Sequence, residues 1–260
     1  MRLLAAWGAL GLFLGLEALW PRRERSLARS QRWFRNVGIV VLGTLLLRGM
    51  MALLPLLSAT AGANWAADAG VGLLNRAELG AEIEGAIAFV ALDLSIWFQH
   101  FLSHRVPFLW RLHRLHHADK DVDATTAVRF HPGELVLSAI YKLVIVLLLG
   151  PSVTAVVIFE VVLNASAVFN HANLALPQGI DRALRIVLVT PDMHRVHHST
   201  RRVEQNRNYG FCLPWWDRLF RRYQAQPAGG QRGMALGLLR EPSGPVAGER
   251  ASETDFGARN

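Results

Sequence analysis

Residues 100–117 read HFLSHRVPFLWRLHRLHH, and the spacing of their histidines decides how the chain is built. His100 and His104 lie four residues apart, while His113, His116 and His117 follow as HxxHH, at offsets of three and four. On an α-helix those offsets stack the imidazoles on one face. Pro107 stands between the two boxes, so each predicts a helix of its own, with a loop short enough for the two to lie side by side. A second HxxHH, formed by His194, His197 and His198, lies far downstream in PDMHRVHH at 191–198. All ten histidines of the chain fall between His100 and His198.

The surroundings of the boxes are apolar. With 52% hydrophobic and 18% charged residues and a mean hydropathy of +0.23, the 260-residue chain is too apolar for an ordinary soluble domain. Apolar runs occupy residues 3–20, 37–57, 83–101, 135–149 and 153–167. The first is about long enough to cross a bilayer core, lacks a small-x-small cleavage site after it, and is expected to be a retained helix. The last two are somewhat short for full crossings and are joined by Gly150 and Pro151, which predicts a hairpin, either a tilted or re-entrant pair or two deep crossings. The net charge of +8 and pI near 10.8 would suggest nucleic acid in a soluble chain. Here the basic residues flank apolar runs with no aromatic-and-basic stripe, so the charge is read as orientation in a membrane and no nucleic-acid partner is expected.

Arg22, Arg23, Arg25, Arg29, Arg32 and Arg35 crowd one short loop, which the positive-inside rule assigns to the cytoplasm. Residues 58–79, with Arg76 their only basic side chain, suit the opposite side. The run at 83–101 then returns the chain to the cytoplasmic face, and the hairpin leaves and re-enters from that face. All three boxes therefore converge on one side of the membrane.

Eight imidazoles exceed what one ion takes, so the boxes imply two metal ions with about four or five nitrogens each. Nitrogen-rich sites suit iron, zinc, copper or nickel. Cys212 is the only cysteine, which excludes a disulfide framework, a CxxC zinc site and an iron–sulfur motif.

With those residues in place the chain resembles the fatty acid hydroxylase and sterol desaturase superfamily of membrane di-iron oxygenases. The likeness covers about residues 93–223. HFLSHR at 100–105 and PFLWRLHRLHH at 107–117 resemble the family's first two boxes; PDMHRVHHS at 191–199, NYG at 208–210 and WDRLF at 216–220 resemble its third box and closing motif. The resemblance implies an all-α, multi-pass transmembrane bundle of about four membrane-embedded helices, plus or minus one, with a cytosolic helical cap over a histidine-rich dimetal site. It implies two irons, with zinc a substitute in a purified protein, a long-chain lipid substrate, and an external electron donor such as a ferredoxin, cytochrome or reductase. Through the segments RFHPGE at 129–134 and NHANL at 170–174 it adds His171 as a ligand, and it leaves His131 open between ligand and structural helix-start residue. The implied metal ligands are thus His100, His104, His113, His116, His117, His171, His194, His197 and His198. The chain departs from the family at Arg221 and Arg222, where Gly-Thr often follows the closing motif, and at Asn206, where an acidic residue is frequent.

The expected reaction is O2-dependent hydroxylation of a lipid C–H bond. Desaturation by the same site is the near alternative, and histidine-based metal transport or storage is a more distant one. Transport is disfavoured because the boxes cluster at one face and no repeat is visible. A histidine-only shell compensates little of the metal charge, so an outer carboxylate is expected. Asp93, two turns before His100 inside an apolar run, either orients a ligand imidazole or pairs with Arg48 or Lys142. HPGE at 131–134 has no second axial histidine or soluble domain around it, so haem is discounted, and no GxGxxG follows a strand. The expected organisation is N-terminal membrane helices with their Arg-rich loop over 1–80, the histidine-box domain over 81–224, and a flexible Gly- and Pro-rich tail over 225–260.

Overall fold

The computed structural model describes residues 2–238; residues 239–260 of the expected tail lie outside the described residues. The described chain is helical, and its only β-type pairings are isolated bridges of Pro21 with Leu174 and of Ser199 with Leu236. Its main helices are α1 (Arg2–Leu19), α2 (Arg29–Leu53), α3 (Ala59–Asp68), α4 (Ala81–Arg105), α5 (Pro107–His117), α6 (Pro132–Leu149) and α7 (Val153–His171). Five short helices follow among the described residues: α8 (Gln178–Leu184), α9 (Pro191–His197), α10 (Arg202–Gln205), α11 (Trp215–Leu219) and α12 (Gly230–Gly233).

Helices α2, α4, α6 and α7 are long and apolar enough to cross a bilayer. At about 1.5 Å per residue they reach roughly 27–38 Å, against a hydrocarbon core of about 30 Å. Their outward faces carry exposed Leu42, Leu45, Ile83, Ile87, Ile140, Val144 and Ile158, side chains that only lipid covers without penalty. The chain is an integral membrane protein. Small residues on α3, Ala59 and Ala63, let it pack closely against Val146 of α6 and Phe159 of α7, and Leu92 and Ile96 of α4 complete this core.

The predicted breaks fall where backbone chemistry places them. Val106 is extended, with φ −91° and ψ 117°, and Pro107 restarts the chain as the first turn of α5. A proline tolerates that position because its missing N–H has no helical partner there, and it forces the preceding residue out of the helical region. Gly150 ends α6 at φ 63°, where a Cβ would come within 2.7 Å of the Val71 carbonyl oxygen. The Ser152 hydroxyl then accepts from the Ala155 N–H at 3.2 Å and starts α7.

The run at 3–20 is α1, a shorter apolar helix that leans on α7 through Leu10 and through Phe13, whose ring lies 5.3 Å from that of Phe169. Glu17 near its end is buried, accepts the backbone N–H groups of Ala124 at 3.1 Å and Asn173 at 2.9 Å, and pairs with Arg25 at 2.8 Å. Residues 225–238, expected at the head of a loose tail, are anchored at points, with Pro227, Gln231, Met234 and Leu236 buried. Met234 and Leu236 are buried against Val122, and the Thr200 N–H donates to the Ala235 carbonyl at 3.0 Å.

The Arg-rich segment is tied into the fold by ion pairs and hydrogen bonds. Arg22 pairs with Asp192 at 2.8 Å, Arg23 donates to the carbonyls of Gln231 and Met234, and Arg32 forks onto Asp119 at 2.9 Å and Asp123 at 2.7 Å. Arg32 lies in α2, so this helix starts eight residues before the apolar run and carries its first two turns to the segment that follows box 2. Around the ion pairs, Asn36 donates to Thr125 at 2.8 Å and accepts from Arg129 at 2.7 Å. Burial pushes the Asp119 carboxyl up, but the hydrogen bonds and charge of Arg32, with Thr126, more than reverse this and hold it below the usual carboxylate range.

Removing Arg32 would leave two carboxylates buried without their cation. Arg32→Met is expected to destabilise the protein by about 3–5 kcal/mol, and Arg32→Lys by less, since lysine keeps the charge but loses the fork. Thermal unfolding of the detergent-solubilised protein measures both; unchanged unfolding temperatures would show that the arginines serve topology alone.

Candidate metal centre

Box 1 ends α4, box 2 ends α5, box 3 spans α9 and its C-cap residue His198, and His171 is the last residue of α7. Four helix ends thus meet, and nine histidines gather there in two groups. His100, His104, His113, His117 and His197 form one; His116, His171, His194 and His198 form the other. Within each group the candidate ligand atoms lie within 4.8 Å of one another. Boxes 2 and 3 both divide between the groups, with His116 turned one way and His113 and His117 the other. Side-by-side rings on one face therefore serve two neighbouring positions.

Hydrogen bonds at the outer nitrogens set the direction of the inner ones. His100 Nδ1 meets the Tyr209 carbonyl at 2.7 Å, His197 Nδ1 the Arg207 carbonyl at 2.8 Å, and His171 Nδ1 the Ala167 carbonyl at 2.6 Å. A carbonyl only accepts, so each Nδ1 carries the proton and each Nε2 presents a lone pair inward. His113 Nδ1 likewise donates to Glu134 Oε1 at 2.6 Å. This is the outer carboxylate expected from the charge argument, on a residue that spacing did not single out. Its signal in the sequence was an acidic side chain opening an apolar helix.

These assignments make the inner contacts informative. Nε2 of His117 meets Nε2 of His113 at 3.2 Å, and Nε2 of His116 and of His194 meet that of His171 at 3.1 and 3.2 Å, the Nδ1 atoms of His116, His117 and His194 being buried without a partner, while His100 Nε2 and His113 Nε2, both lone-pair donors, face each other at 3.1 Å. Two acceptors at that distance repel unless a cation lies between them. Metal–nitrogen bonds of about 2.1 Å at right angles place neighbouring nitrogens about 3.0 Å apart. Nε2 of His104, Nε2 of His197 and both nitrogens of His198 are buried without a hydrogen-bond partner. The donor set fits two ions that accept nitrogen ligands.

Protonation state fits as well. Burial, reinforced by the neighbouring imidazoles, holds His116, His117, His194 and His198 well below the usual histidine range, and burial takes His197 down to about 3. At neutral pH these rings are uncharged, the form that ligates metal.

Two expectations change. His131 lies in neither group: its Nδ1 accepts from the Gly133 N–H at 3.0 Å and caps α6. Asp93 neither orients an imidazole nor pairs with Arg48 or Lys142; it accepts from Trp216 Nε1 at 2.8 Å and the Leu213 N–H at 3.3 Å, tying the closing segment to α4.

That closing segment is a bracket for box 1. Asp217 accepts from the N–H groups of Tyr209 at 2.8 Å and Gly210 at 2.9 Å and from Trp97 Nε1 at 2.9 Å. Tyr209 is thereby fixed with its carbonyl on His100. A Cβ at Gly210 would fall 3.0 Å from Asp217 Oδ2, so the close approach needs glycine there. Asn208, at φ 53°, donates to the carbonyls of Met193 and Gln224 at 2.8 Å and so ties the segment to box 3. Burial pushes the Asp217 carboxyl up to about 6 against the bonds from Trp97, Gly210 and Tyr209, which still leaves it ionised at neutral pH. Arg221, where the family often has glycine, stands at φ 55°, the left-handed conformation that glycine adopts without strain.

Comparison with known proteins adds three findings. A family model described as fatty acid hydroxylase matches residues 85–222. Human alkylglycerol monooxygenase is 28% identical over 144 residues, 54% of this chain and 30% of that protein, and its Danio rerio counterpart is 32% identical over 134 residues, 52% and 29% respectively. Ornithine lipid hydroxylase OlsE of Rhizobium tropici is 28% identical over 141 residues, 54% of this chain and 42% of that protein. The chain thus spans less than half the length of each of these relatives. No solved structure matches.

His131 and Glu134 separate capping from ligand support. His131→Asn, which keeps a capping side chain, is expected to leave the metal-to-protein ratio unchanged, whereas Glu134→Leu is expected to weaken metal retention about 10–100-fold. Elemental analysis after graded chelator treatment reads both. A fall in metal content for His131→Asn would return His131 to the ligand set.

Proposed function

The chain belongs to the fatty acid hydroxylase family, and from that premise we propose that it is a membrane-bound di-iron oxygenase that hydroxylates a C–H bond of a long-chain lipid. The observation that carries this reading is that His100 and His113, of the first imidazole group, open onto a cavity with apolar sides. The cavity, of about 210 Å³, touches His100 and His113 and is walled by Ile96, Leu135, Leu163 and Phe211. The matched relatives are, by name, an alkylglycerol monooxygenase and an ornithine lipid hydroxylase, which favours hydroxylation over desaturation.

The balance is one C–H bond, one O2, two electrons and two protons giving an alcohol and water, with the electrons drawn from an external ferredoxin, cytochrome or reductase. Two irons held by His100, His104, His113, His117 and His197 and by His116, His171, His194 and His198 would supply the activation of O2. The chain's own residues aim the substrate and exclude water. Ile96, Leu135, Leu163, Ala167 and Phe211 shape the space for one stretch of alkyl chain beside His100 and His113. Phe130, stacked on His116 with ring centroids 4.7 Å apart, holds that ring against rotation. Glu134 bonds His113 through Oε1, while Oε2 is buried without a partner in the cavity wall, a place to hold a proton.

A cytoplasmic position for the boxes has its own support. Arg22 and Arg32 belong to the arginine-rich segment that the positive-inside rule assigns to the cytoplasm, and they pair with Asp192 beside box 3 and Asp119 beside box 2.

Lipid mass spectrometry under 18O2, with His113→Ala as control, tests the reading. The intact protein is expected to add one heavy oxygen to a membrane lipid and the variant none. Loss of two hydrogens without added oxygen would replace hydroxylation by desaturation, and identical lipids from both proteins across several candidate pools would remove the enzymatic reading.

A further inference from the structure

The cavity beside His100 and His113 is apolar at its sides, but one line of polar residues runs along it through the membrane-embedded helices. On α6 the line is Glu134, Ser138 and Lys142, at i, i+4 and i+8, which is one helix face. On α4 it is Gln99 and Ser103, and on α7 Asn164. Ser138 Oγ donates to Gln99 Oε1 at 3.3 Å, so the α4 and α6 portions join. At the end remote from the histidines, Lys142 Nζ pairs with Glu160 Oε1 of α7 at 2.9 Å, and one turn on, Asn164 donates to the Glu160 carbonyl at 2.7 Å.

Such groups are expensive inside a bilayer, and packing alone does not ask for them: neighbouring positions on the same helices are Leu, Ile and Val. A part-buried ion pair is no efficient source of stability either, since well-packed apolar residues of similar size often serve as well. Lys142 and Asn164 line the same cavity that reaches His100 and His113, which places them in contact with whatever fills that space, with Glu160 held on Lys142 behind them.

We propose that Lys142, Glu160 and Asn164 form a subsite for a neutral hydrogen-bonding group of the lipid, such as a hydroxyl, ether or amide, and that this anchor selects which carbon faces the metal centre. The inference rests on the lipid-oxidising reading of the site. The ion pair has no net charge and offers both donors and acceptors, so it receives a neutral polar group at little electrostatic cost. A carboxylate would leave the subsite with an uncompensated negative charge in low dielectric. Lys142 lies eight residues beyond Glu134, the partner of His113, so the anchored group sits about 12 Å along α6 from the metal ligands. The substrate is then a lipid whose neutral polar group lies about that far from the oxidised carbon.

The test uses the metal-loaded full chain in nanodiscs and three photoreactive probes of equal chain length: a hydrocarbon, its primary alcohol and its carboxylate, each with a diazirine near the polar end or the equivalent carbon. Peptide mass spectrometry maps the labels. The alcohol is expected to label residues 138–164 at least tenfold above the hydrocarbon and above the carboxylate. Replacing the pair together, Lys142→Met with Glu160→Met, should bring alcohol and hydrocarbon to parity, and the exchanged pair, Lys142→Glu with Glu160→Lys, should restore the preference. Equal labelling in the natural protein, a preference that survives the double replacement, or strongest labelling by the carboxylate would overturn the proposal. Product analysis under 18O2 on the same samples separates the two claims: selective labelling without oxidation would count against the hydroxylase reading and leave the subsite standing.

Discussion

Uncharged imidazoles packed lone pair to lone pair are the constraint on which the rest of the structure depends. His100 and His113 bring their Nε2 atoms to 3.1 Å while both Nδ1 protons are committed outward, to Tyr209 and Glu134. Without a cation that arrangement is repulsive, and with one it is a ligand cage. The scaffold is arranged to enforce it. Pro107 separates α4 from α5 so that their histidines meet, and α7 and α9 deliver His171 and box 3 to the same place. The outer bonds from Tyr209, Glu134, Arg207 and Ala167 fix which nitrogen points inward.

The supports beyond those bonds come from remote parts of the chain. Asp217 gathers three N–H donors and so places the Tyr209 carbonyl on His100, while Asp93 anchors Trp216 from inside a membrane helix. Arg32 clamps the loop that leaves box 2, and Arg22 together with Arg195 holds Asp192 at the start of box 3. Every buried charge in these contacts has an opposite charge or several donors around it, as burial in low dielectric requires. A centre at a membrane face is thereby gripped from both sides, by the ends of the spans below and by the loop and closing segment above.

Much of this was legible in the sequence, because helix periodicity converts spacing directly into shared faces. The three boxes, their meeting in one place and the hairpin at Gly150 followed from offsets and from counting apolar runs. His171 has no partner at helical spacing and entered only through the family likeness. His131 shows the opposite limit: a histidine before a proline is chemically able to ligate or to cap, and only coordinates show its Nδ1 turned to the Gly133 N–H. The arginine loop was legible as charge but not as contact, since Asp119, Asp123 and Asp192 are distant in sequence from Arg32 and Arg22. Residues 225–238 read as a tail by composition, yet Met234 and Leu236 find a surface that no local pattern announces.

The central claim is that two adjacent, nitrogen-only groups hold two metal ions. X-ray absorption at the iron edge of the purified, iron-loaded protein tests it most directly. The account predicts two irons per chain, a first shell dominated by imidazole nitrogen and no sulfur. One iron per chain, or a first shell with sulfur or without imidazole scattering, would contradict it.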